Sequence, residues 1–143
     1  MRNSKLTLLV LVSLLFIACD KDTDDSATSP IIGTWEITNY ETRIGNDSWK
    51  PVGEDCKLDD TEEYESNGRW TLYDGVNQCE AGTGITQGTW KLKASNTKIV
   101  YTYDGYSGEY ESTVEELTEN SLILSWSTGD INNTQYRTTY KKK

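Results

Sequence analysis

The chain has 143 residues, which is room for a single domain, and its composition is acidic. The net charge of −9, from 23 acidic and 14 basic residues, argues against nucleic acid as a partner. There is no histidine, which excludes His-based catalytic triads and the commonest metal ligand. We predict a protein that is not an enzyme and that holds no metal ion and no cofactor; an enzyme that uses two of the many carboxylates, as glycosidases do, is the alternative.

The first 18 residues have the composition of a signal peptide. Arg2 and Lys5 precede an apolar run, residues 6–17, that is too short to span a bilayer comfortably. The run ends in Phe16-Ile17-Ala18-Cys19, which resembles a bacterial lipobox, in which the cysteine is acylated and becomes the new N-terminus. We therefore predict that Cys19 is lipidated and anchors the protein to a lipid bilayer. An ordinary cleavage site or an uncleaved anchor is the alternative.

Residues 19–30 are predicted to form a disordered acidic tether, because they are polar and lack periodicity. The acidic run after Cys19 resembles the surface-export signal of lipoproteins in Bacteroidota-type bacteria. Asp20 directly after the cysteine would instead mean retention in the inner membrane under the enteric sorting rule, and a plain solvated linker is a third interpretation. We expect an outer-membrane lipoprotein of the cell envelope, exposed at the cell surface.

The stretch after residue 30 has the pattern of a β-sheet. Short runs rich in Thr, Tyr, Trp and Ile are separated by Gly, Asn, Asp and Ser, and no apolar stripe of helical period is present. Two runs contain Gly-Thr-Trp, at 33–35 and 88–90, in which the Trp faces inward and the Gly lets a neighbouring backbone come close. The predicted strands cover residues 33–44, 60–66, 69–74, 85–93, 98–104, 109–117, 121–128 and 134–141.

The second and third of these strands form a hairpin with two possible registers. A two-residue Asn-Gly turn would place Tyr64 opposite Thr71, and the apolar Trp70 and Leu72 would then lie beside glutamates. A three-residue loop, 66–68, places Tyr64 opposite Trp70 and Glu62 opposite Leu72. We predict the second register, because it joins the two aromatic side chains.

Cys56 and Cys79 bracket this hairpin, and they are the two cysteines that remain once Cys19 is assigned to lipid. In an exported protein they are expected to form a disulfide across the open end of the hairpin. A metal site or a catalytic thiol would lack the histidine that completes either.

An antiparallel meander of about eight strands closes most simply into an up-and-down β-barrel, which leaves no exposed edge. The order of motifs is a Gly-Thr-Trp strand, Cys56 before an Asp-Asp-rich strand, an aromatic-x-x-x-Gly hairpin, Cys79, a second Gly-Thr-Trp and Leu-Thr-Glu-Asn-Ser-Leu-Ile-Leu at 117–124. This order resembles the lipocalin-like lipoproteins of Bacteroidota over nearly all of residues 31–141. We therefore predict a signal peptide over 1–18, a lipidated tether over 19–30 and an all-β, eight-stranded lipocalin-like barrel over 31–143, closed at one end by Gly33 and Trp35.

The resemblance implies a cavity for a small molecule. It should be narrow, aromatic-walled and partly polar, because buried Tyr hydroxyls and Trp N–H groups need hydrogen-bond partners. Ordinary core packing is the alternative for every candidate, since side chains can nearly fill an eight-stranded barrel. The candidate lining residues are Glu62, Tyr64, Trp70, Leu72, Trp90, Tyr101, Tyr110, Trp126 and Tyr136.

Glu62 departs from the family pattern, which leads us to expect an apolar residue there. An inward carboxylate is costly unless it is paired, so we predict that Glu62 contacts a donor or cation of a ligand; a place at the solvated rim is the alternative. The predicted function is binding of a small amphipathic or aromatic molecule by a monomer. The alternative is a filled barrel that contacts proteins or glycans through loops 43–54 and 75–84, with an exposed Trp49 as one contact.

Overall fold

A computed structural model of the protein describes residues 29–53, 55–79 and 84–143. The predicted signal peptide, Cys19 and most of the tether lie outside these residues. A short 3₁₀ turn, Asp55–Lys57, precedes the second long strand, and no helix within the described residues has the length and apolar character needed to cross a bilayer. The strands are β1 (Gly33–Ile44), β2 (Lys50–Pro51), β3 (Thr61–Tyr64), β4 (Arg69–Tyr73), β5 (Ile85–Lys93), β6 (Lys98–Tyr103), β7 (Tyr110–Leu117), β8 (Ser121–Ser127) and β9 (Thr134–Lys142).

The strands form a closed antiparallel barrel, which confirms the predicted fold class. From β3 to β9 each strand pairs with the next, and β1 closes the circle because it pairs with β3 on one side and β9 on the other. Of the described strands, eight make up the barrel, and the two-residue β2 is added beside β1 through Glu41–Pro51 and Thr42–Lys50. The sequence did not predict β2, since a two-residue strand within a polar loop has no periodicity of its own.

The hairpin of β3 and β4 has the predicted three-residue register. Tyr64 lies opposite Trp70 and Glu62 opposite Leu72. Gly68 adopts a positive φ of 82°, as the left-handed position of such a loop requires. Both aromatic side chains therefore face the interior of the barrel, and so does the carboxylate of Glu62.

A β-bulge in β1 changes which side chains face inward along this strand. The pairing with β9 runs from Ile37–Tyr140 to Asn39–Thr139, so Thr38 is the extra residue. After the bulge it is Tyr40 that shares the inward face, opposite Thr138. The Tyr40 ring stacks on Trp126 and Tyr136 at centroid distances of 6.1 and 5.8 Å.

The barrel is closed at the end where β1 begins, which we call the N-terminal end. Ile31 and Trp35 are fully buried there, and the indole Nε1 of Trp35 donates to the carbonyl of Ile31 at 2.6 Å. The Lys142 ammonium lies 5.0 Å from the Trp35 ring centroid and donates to the carbonyl of Pro30. Gly33 has a φ of 126°, and a Cβ on it would lie 2.8 Å from Cε of Lys142. The predicted pair, Gly33 and Trp35, is thus found at this end of the barrel.

The opposite end carries the described parts of the connections 45–60, 74–84, 104–109 and 128–133, and we call it the loop end. The predicted disulfide is present there: Cys56 and Cys79 are bonded, with their Cα atoms 5.2 Å apart. The bond ties the connection between β1 and β3 to the loop between β4 and β5. It therefore constrains two of the loops around the mouth of the barrel.

Gly88, in the second Gly-Thr-Trp triplet, allows close approach of two strands. A Cβ at this buried position would lie only 1.7 Å from the carbonyl oxygen of Thr102 on β6. Trp90, on the same face, donates from its indole to the carbonyl of Glu65 at 3.1 Å. The repeated triplet therefore has a structural role in the wall, as the alternation of small and large residues predicts.

Candidate functional site

The barrel contains a cavity of about 350 Å³ that reaches from its interior to the surface. Its inner part is buried, and its outer part is formed by exposed residues such as Tyr110, which is 53% exposed. The lining residues are Glu62, Trp70, Tyr101, Tyr103, Glu109, Tyr110, Glu111, Ser112, Leu124, Trp126, Ser127 and Tyr140. The volume is at the lower end of the range for small-molecule sites.

The cavity opens where β7 and β8 separate. Their ladder runs from Leu117–Leu122 to Thr113–Ser125 and stops there, with an irregularity between Val114 and Glu116. Residues 110–112 stay paired with β6, and 125–127 stay paired with β9. The separated ends of β7 and β8 both line the cavity, so its entrance lies between two strands as well as at the loop end.

Glu62 lies in the wall of the cavity and is held by three donors. Its side chain is 7% exposed. Tyr64 Oη and Trp70 Nε1 donate to Oε2 at 2.5 and 2.9 Å, and Tyr140 Oη donates to Oε1 at 2.8 Å. These donors come from β3, β4 and β9, so the carboxylate joins the two strands that flank β1. The alternative of a solvated rim position for Glu62 is therefore wrong.

The electrostatics of this cluster are set by burial. Loss of hydration raises the pKa of Glu62, and the hydrogen bonds from Tyr64, Trp70 and Tyr140 lower it by less. Burial, followed by the nearby Glu62 charge, raises the pKa of Tyr64, Tyr101 and Tyr140 well above the ordinary tyrosine value. The phenols therefore remain hydrogen-bond donors wherever the protein is folded.

A hydrogen-bond chain runs from Glu62 through Tyr64 to Tyr101. The two hydroxyl oxygens are 2.8 Å apart, and either can be the donor. With Glu62 ionised, Tyr101 donates to Tyr64 and Tyr64 donates to the carboxylate. With Glu62 neutral, the direction can reverse, so that Tyr101 is left to donate elsewhere. Because Tyr101 lines the cavity, the protonation state of Glu62 changes what its wall offers to a ligand.

Aromatic rings form one wall of the cavity. Trp70 contacts Tyr101 and Tyr103 at centroid distances of 5.3 and 5.4 Å. Tyr103 in turn meets Tyr110 edge to face at 4.9 Å. The row of rings runs from buried Trp70 to the exposed Tyr110 and gives the cavity an aromatic side from floor to entrance.

The carboxylates at the entrance are paired with lysines. Glu109 binds Lys91 and Lys93 at 2.8 and 3.3 Å, and Glu111 binds Lys98 at 2.5 Å. All five side chains are substantially exposed, so these pairs contribute little to stability. They balance the negative charges of Glu109 and Glu111 at the rim, whereas Glu62, inside the cavity, has no lysine or arginine partner among the described residues.

Five of the predicted lining residues are found together in the cavity. The other four are not among the lining residues: Tyr64 and Trp90 are buried, and Leu72 and Tyr136 are partly buried elsewhere in the barrel. The five that line it are Glu62, Trp70, Tyr101, Tyr110 and Trp126.

Sequence reasoning missed several lining residues for different reasons. Tyr103 alternates with Tyr101, and Leu124 alternates with Trp126, so the sequence indicates that both side chains face the interior, although neither was predicted to line the cavity. Glu109 and Glu111 line the cavity because β7 leaves β8 at this point, and no local pattern announces that separation.

Trp49 is not the exposed contact that the sequence analysis expected. Its indole is partly buried between two guanidinium groups, with the Cζ atoms of Arg43 and Arg137 at 4.3 and 4.5 Å from the ring centroid. Arg137 also donates to Glu41 at 2.7 Å. Trp49 therefore fixes the loop before β2 to the outer wall.

No group of acidic or cysteine side chains that could hold a metal ion is found within residues 29–53, 55–79 and 84–143.

Comparison with known proteins identifies the family to which this fold belongs. The chain has 16% sequence identity and a TM-score of 0.51 to a lipocalin-like protein from Bacteroides uniformis, over 80% of this chain and 99% of that one. A duf4847 family protein from Bacteroides vulgatus has 11% identity and a TM-score of 0.47, over 79% and 95% of the two chains. No curated protein matches the chain. The family model described as a lipocalin-like domain matches residues 31–124, most of the barrel, and the chain therefore belongs to the lipocalin-like domain family.

Proposed function

We propose that the protein is a membrane-anchored, non-catalytic lipoprotein that binds a small aromatic or amphipathic molecule in its barrel. The observation that carries the proposal is the cavity of about 350 Å³, which combines an aromatic wall with one buried, hydrogen-bonded carboxylate. Ligand pockets typically pair apolar walls with a few placed polar groups. In this barrel Trp70 and Tyr103 supply part of the apolar wall, and Glu62 supplies the placed polar group.

A binding role fits the state of the carboxylates better than acid–base chemistry. Three donors hold the Glu62 carboxylate in one position, so it can accept a hydrogen bond from a ligand without moving. Glu109 and Glu111 are tied to lysines, and these contacts hold the pKa of Glu109 below its ordinary value. A general acid needs a raised pKa and freedom to reach a leaving group. Glu62 has the raised pKa but is held in place by its donors, and Glu109 has a lowered pKa. We therefore propose fixed recognition of a ligand.

The experiment that tests ligand binding uses the neutral fluorescent probe N-phenyl-1-naphthylamine. We expect the purified protein to bind it with enhanced fluorescence. Ser112 lines the cavity and Thr113, next to it on β7, is exposed on the other face, so Ser112→Trp and Thr113→Trp form a matched pair. The first should abolish binding and the second should not. Equal binding by the two variants, with unchanged circular dichroism, would overturn the proposal; if Ser112→Trp does not fold, Ser112→Leu replaces it.

The proposed lipid anchor would be joined to the barrel at its closed N-terminal end. Cys19 precedes the first described residue, Ser29, by ten positions, and the chain enters the barrel at the closed N-terminal end. Ten residues span at most about 35 Å, so the anchor would hold the closed end near the bilayer. Metabolic labelling with an alkyne fatty acid tests whether Cys19 is lipidated: the wild-type chain should incorporate the label and Cys19→Ser should not. Protease treatment of intact cells then tests the proposed exposure at the cell surface.

A second candidate function is contact with another protein or a glycan through the loop end. The observation that favours it is that three separate loops each carry a highly exposed large hydrophobic side chain: Val76, Tyr106 and Ile131 are 94%, 74% and 98% exposed. Exposed apolar groups at loop tips are typical of contact surfaces. Replacing all three by Ser should abolish cross-linking to a partner on cells while probe binding in the cavity persists. If cross-linking is unchanged, this candidate function is rejected.

A further inference from the structure

We propose that the ligand is an organic cation, an ammonium group carried on a flat aromatic body, with the ammonium hydrogen-bonded to Oε1 of Glu62. The inference rests on the proposed binding function and names the chemical class of the ligand. Three independent features of the cavity support it: the unused acceptor capacity of Glu62, the charges around it, and the ring faces beside it.

The first feature is the number of hydrogen bonds on each oxygen of Glu62. A carboxylate has about four acceptor positions, two on each oxygen. Among the described residues, Oε2 receives two donors, from Tyr64 and Trp70, whereas Oε1 receives one, the hydroxyl of Tyr140. Glu62 is 7% exposed and lines the cavity. One acceptor position is therefore left for a donor that enters from the cavity.

The second feature is the absence of a counterion. Among the described residues Glu62 takes part in no ion pair, although its lining neighbours Glu109 and Glu111 are paired with lysines on the rim. No Lys or Arg is found among the described residues that line the cavity. A carboxylate ligand would meet Glu62 without a compensating cation, which is costly in a buried site. An ammonium group would supply the missing positive charge.

The third feature is the aromatic surface on which such a cation would lie. Trp70, Tyr101, Tyr103 and Trp126 line the same cavity as Glu62. Indole and phenol faces attract cations, and more strongly where water is excluded. The same faces stack with a flat ligand body, so one molecule can use both contacts at once.

Binding of a cation should depend on pH through Glu62. The titratable groups around it are Tyr64 and Asp60 on and beside β3, Tyr101 and Tyr103 on β6, and Tyr140 on β9. The pKa values of these phenols are raised, so a change in charge at the pH where a carboxylate ionises belongs to Glu62 or Asp60 and not to the phenols. Asp60 is also buried and accepts from the Gly75 N–H, but it is not among the described residues that line the cavity. Cation affinity should therefore increase with pH as Glu62 ionises.

The test is displacement of bound N-phenyl-1-naphthylamine by three ligands with one ring system: tryptamine, indole-3-ethanol and indole-3-propionate. We expect tryptamine to compete about tenfold or more better than the neutral alcohol, and the anion to compete worst. Glu62→Gln should remove the preference for tryptamine. The matched control is Glu63→Gln, because Glu63 is the next residue on β3 and binds Tyr73 at the surface.

The outcomes separate this inference from the function on which it rests. If the naphthylamine does not bind, the proposed function fails. If it binds but tryptamine and indole-3-ethanol compete equally, or if the preference survives in Glu62→Gln, the cation inference is overturned and the function stands. The comparison of ligands on the wild-type protein decides the matter even if Glu62→Gln does not fold.

Discussion

Removing the hydroxyl of Tyr140 should destabilise the protein in a pH-dependent way. Tyr140 Oη is the sole described donor to Oε1 of Glu62, at 2.8 Å, and both side chains are buried. In Tyr140→Phe this oxygen loses its partner without loss of the ring. A hydrogen bond to a charged group contributes about 1.5–3 kcal/mol, and one between neutral groups about 0.5–1.5 kcal/mol. The loss should therefore be larger when Glu62 is ionised.

The direction of the pH effect follows from the pKa of Glu62. Burial raises this pKa above the ordinary value of 4.5, and removal of a donor to the carboxylate raises it further. We expect Tyr140→Phe to lower the free energy of unfolding by about 1 kcal/mol at a pH below the folded pKa of Glu62 and by about 2 kcal/mol at a pH above it. The increase reflects the ionised fraction of Glu62 in the folded state.

Urea unfolding followed by tryptophan fluorescence measures both values, with the disulfide kept oxidised. Tyr136→Phe is the matched control, because Tyr136 is on the same strand and its hydroxyl makes no hydrogen bond within the part of the chain that the structure describes. Its loss should stay below about 0.5 kcal/mol at both pH values. Equal losses in the two variants, or a loss from Tyr140→Phe that persists unchanged in a Glu62→Gln background, would refute the assignment of Tyr140 as a carboxylate donor.

Three further predictions concern the barrel and its buried charge. Gly88→Ala should lower the free energy of unfolding by about 3 kcal/mol or prevent folding, because the new Cβ would lie 1.7 Å from a backbone oxygen. The control is Gly108→Ala, where a Cβ would have no atom within 4 Å, and it should change the free energy of unfolding by less than about 0.5 kcal/mol. Replacing Cys56 and Cys79 together by Ala should cost about 3 kcal/mol in the same assay, and no change would show that the bond constrains little. Finally, the pKa of Glu62 is raised in the folded state, so its contribution to stability is present below pH 4.5 and is lost as pH increases through the folded pKa. The free energy of unfolding of Glu62→Gln should therefore increase relative to that of the wild type as pH increases from 4.5. A difference that stays constant with pH would contradict the raised pKa.

Local patterns predicted most of the strand boundaries. The alternation in β5, and the positive φ of Gly68 in the hairpin loop, are set by residues close in sequence. The same alternation placed Glu62 on the inward face opposite Leu72. These features could be predicted because each depends on a periodicity of two or on a turn of a few residues.

The remaining features depend on contacts between distant parts of the chain. Tyr140 reaches Glu62 only because β9 closes the barrel onto β1, and a bulge at Thr38 sets the register of that closure. The entrance beside Glu109 depends on where β7 leaves β8. The error at Trp49 has the same origin, since one of the guanidinium groups that cover it comes from β9. Tertiary pairing of this kind leaves no local trace in the sequence.

The measurement that tests the account most directly is the pKa of the Glu62 carboxyl, followed by ¹³C NMR in the free protein and with tryptamine added. Burial in the cavity wall predicts a pKa above the ordinary glutamate value in the free protein. An ammonium ligand beside Oε1 predicts that this pKa falls on binding. An ordinary pKa that tryptamine leaves unchanged would contradict both the buried carboxylate and its role in the site.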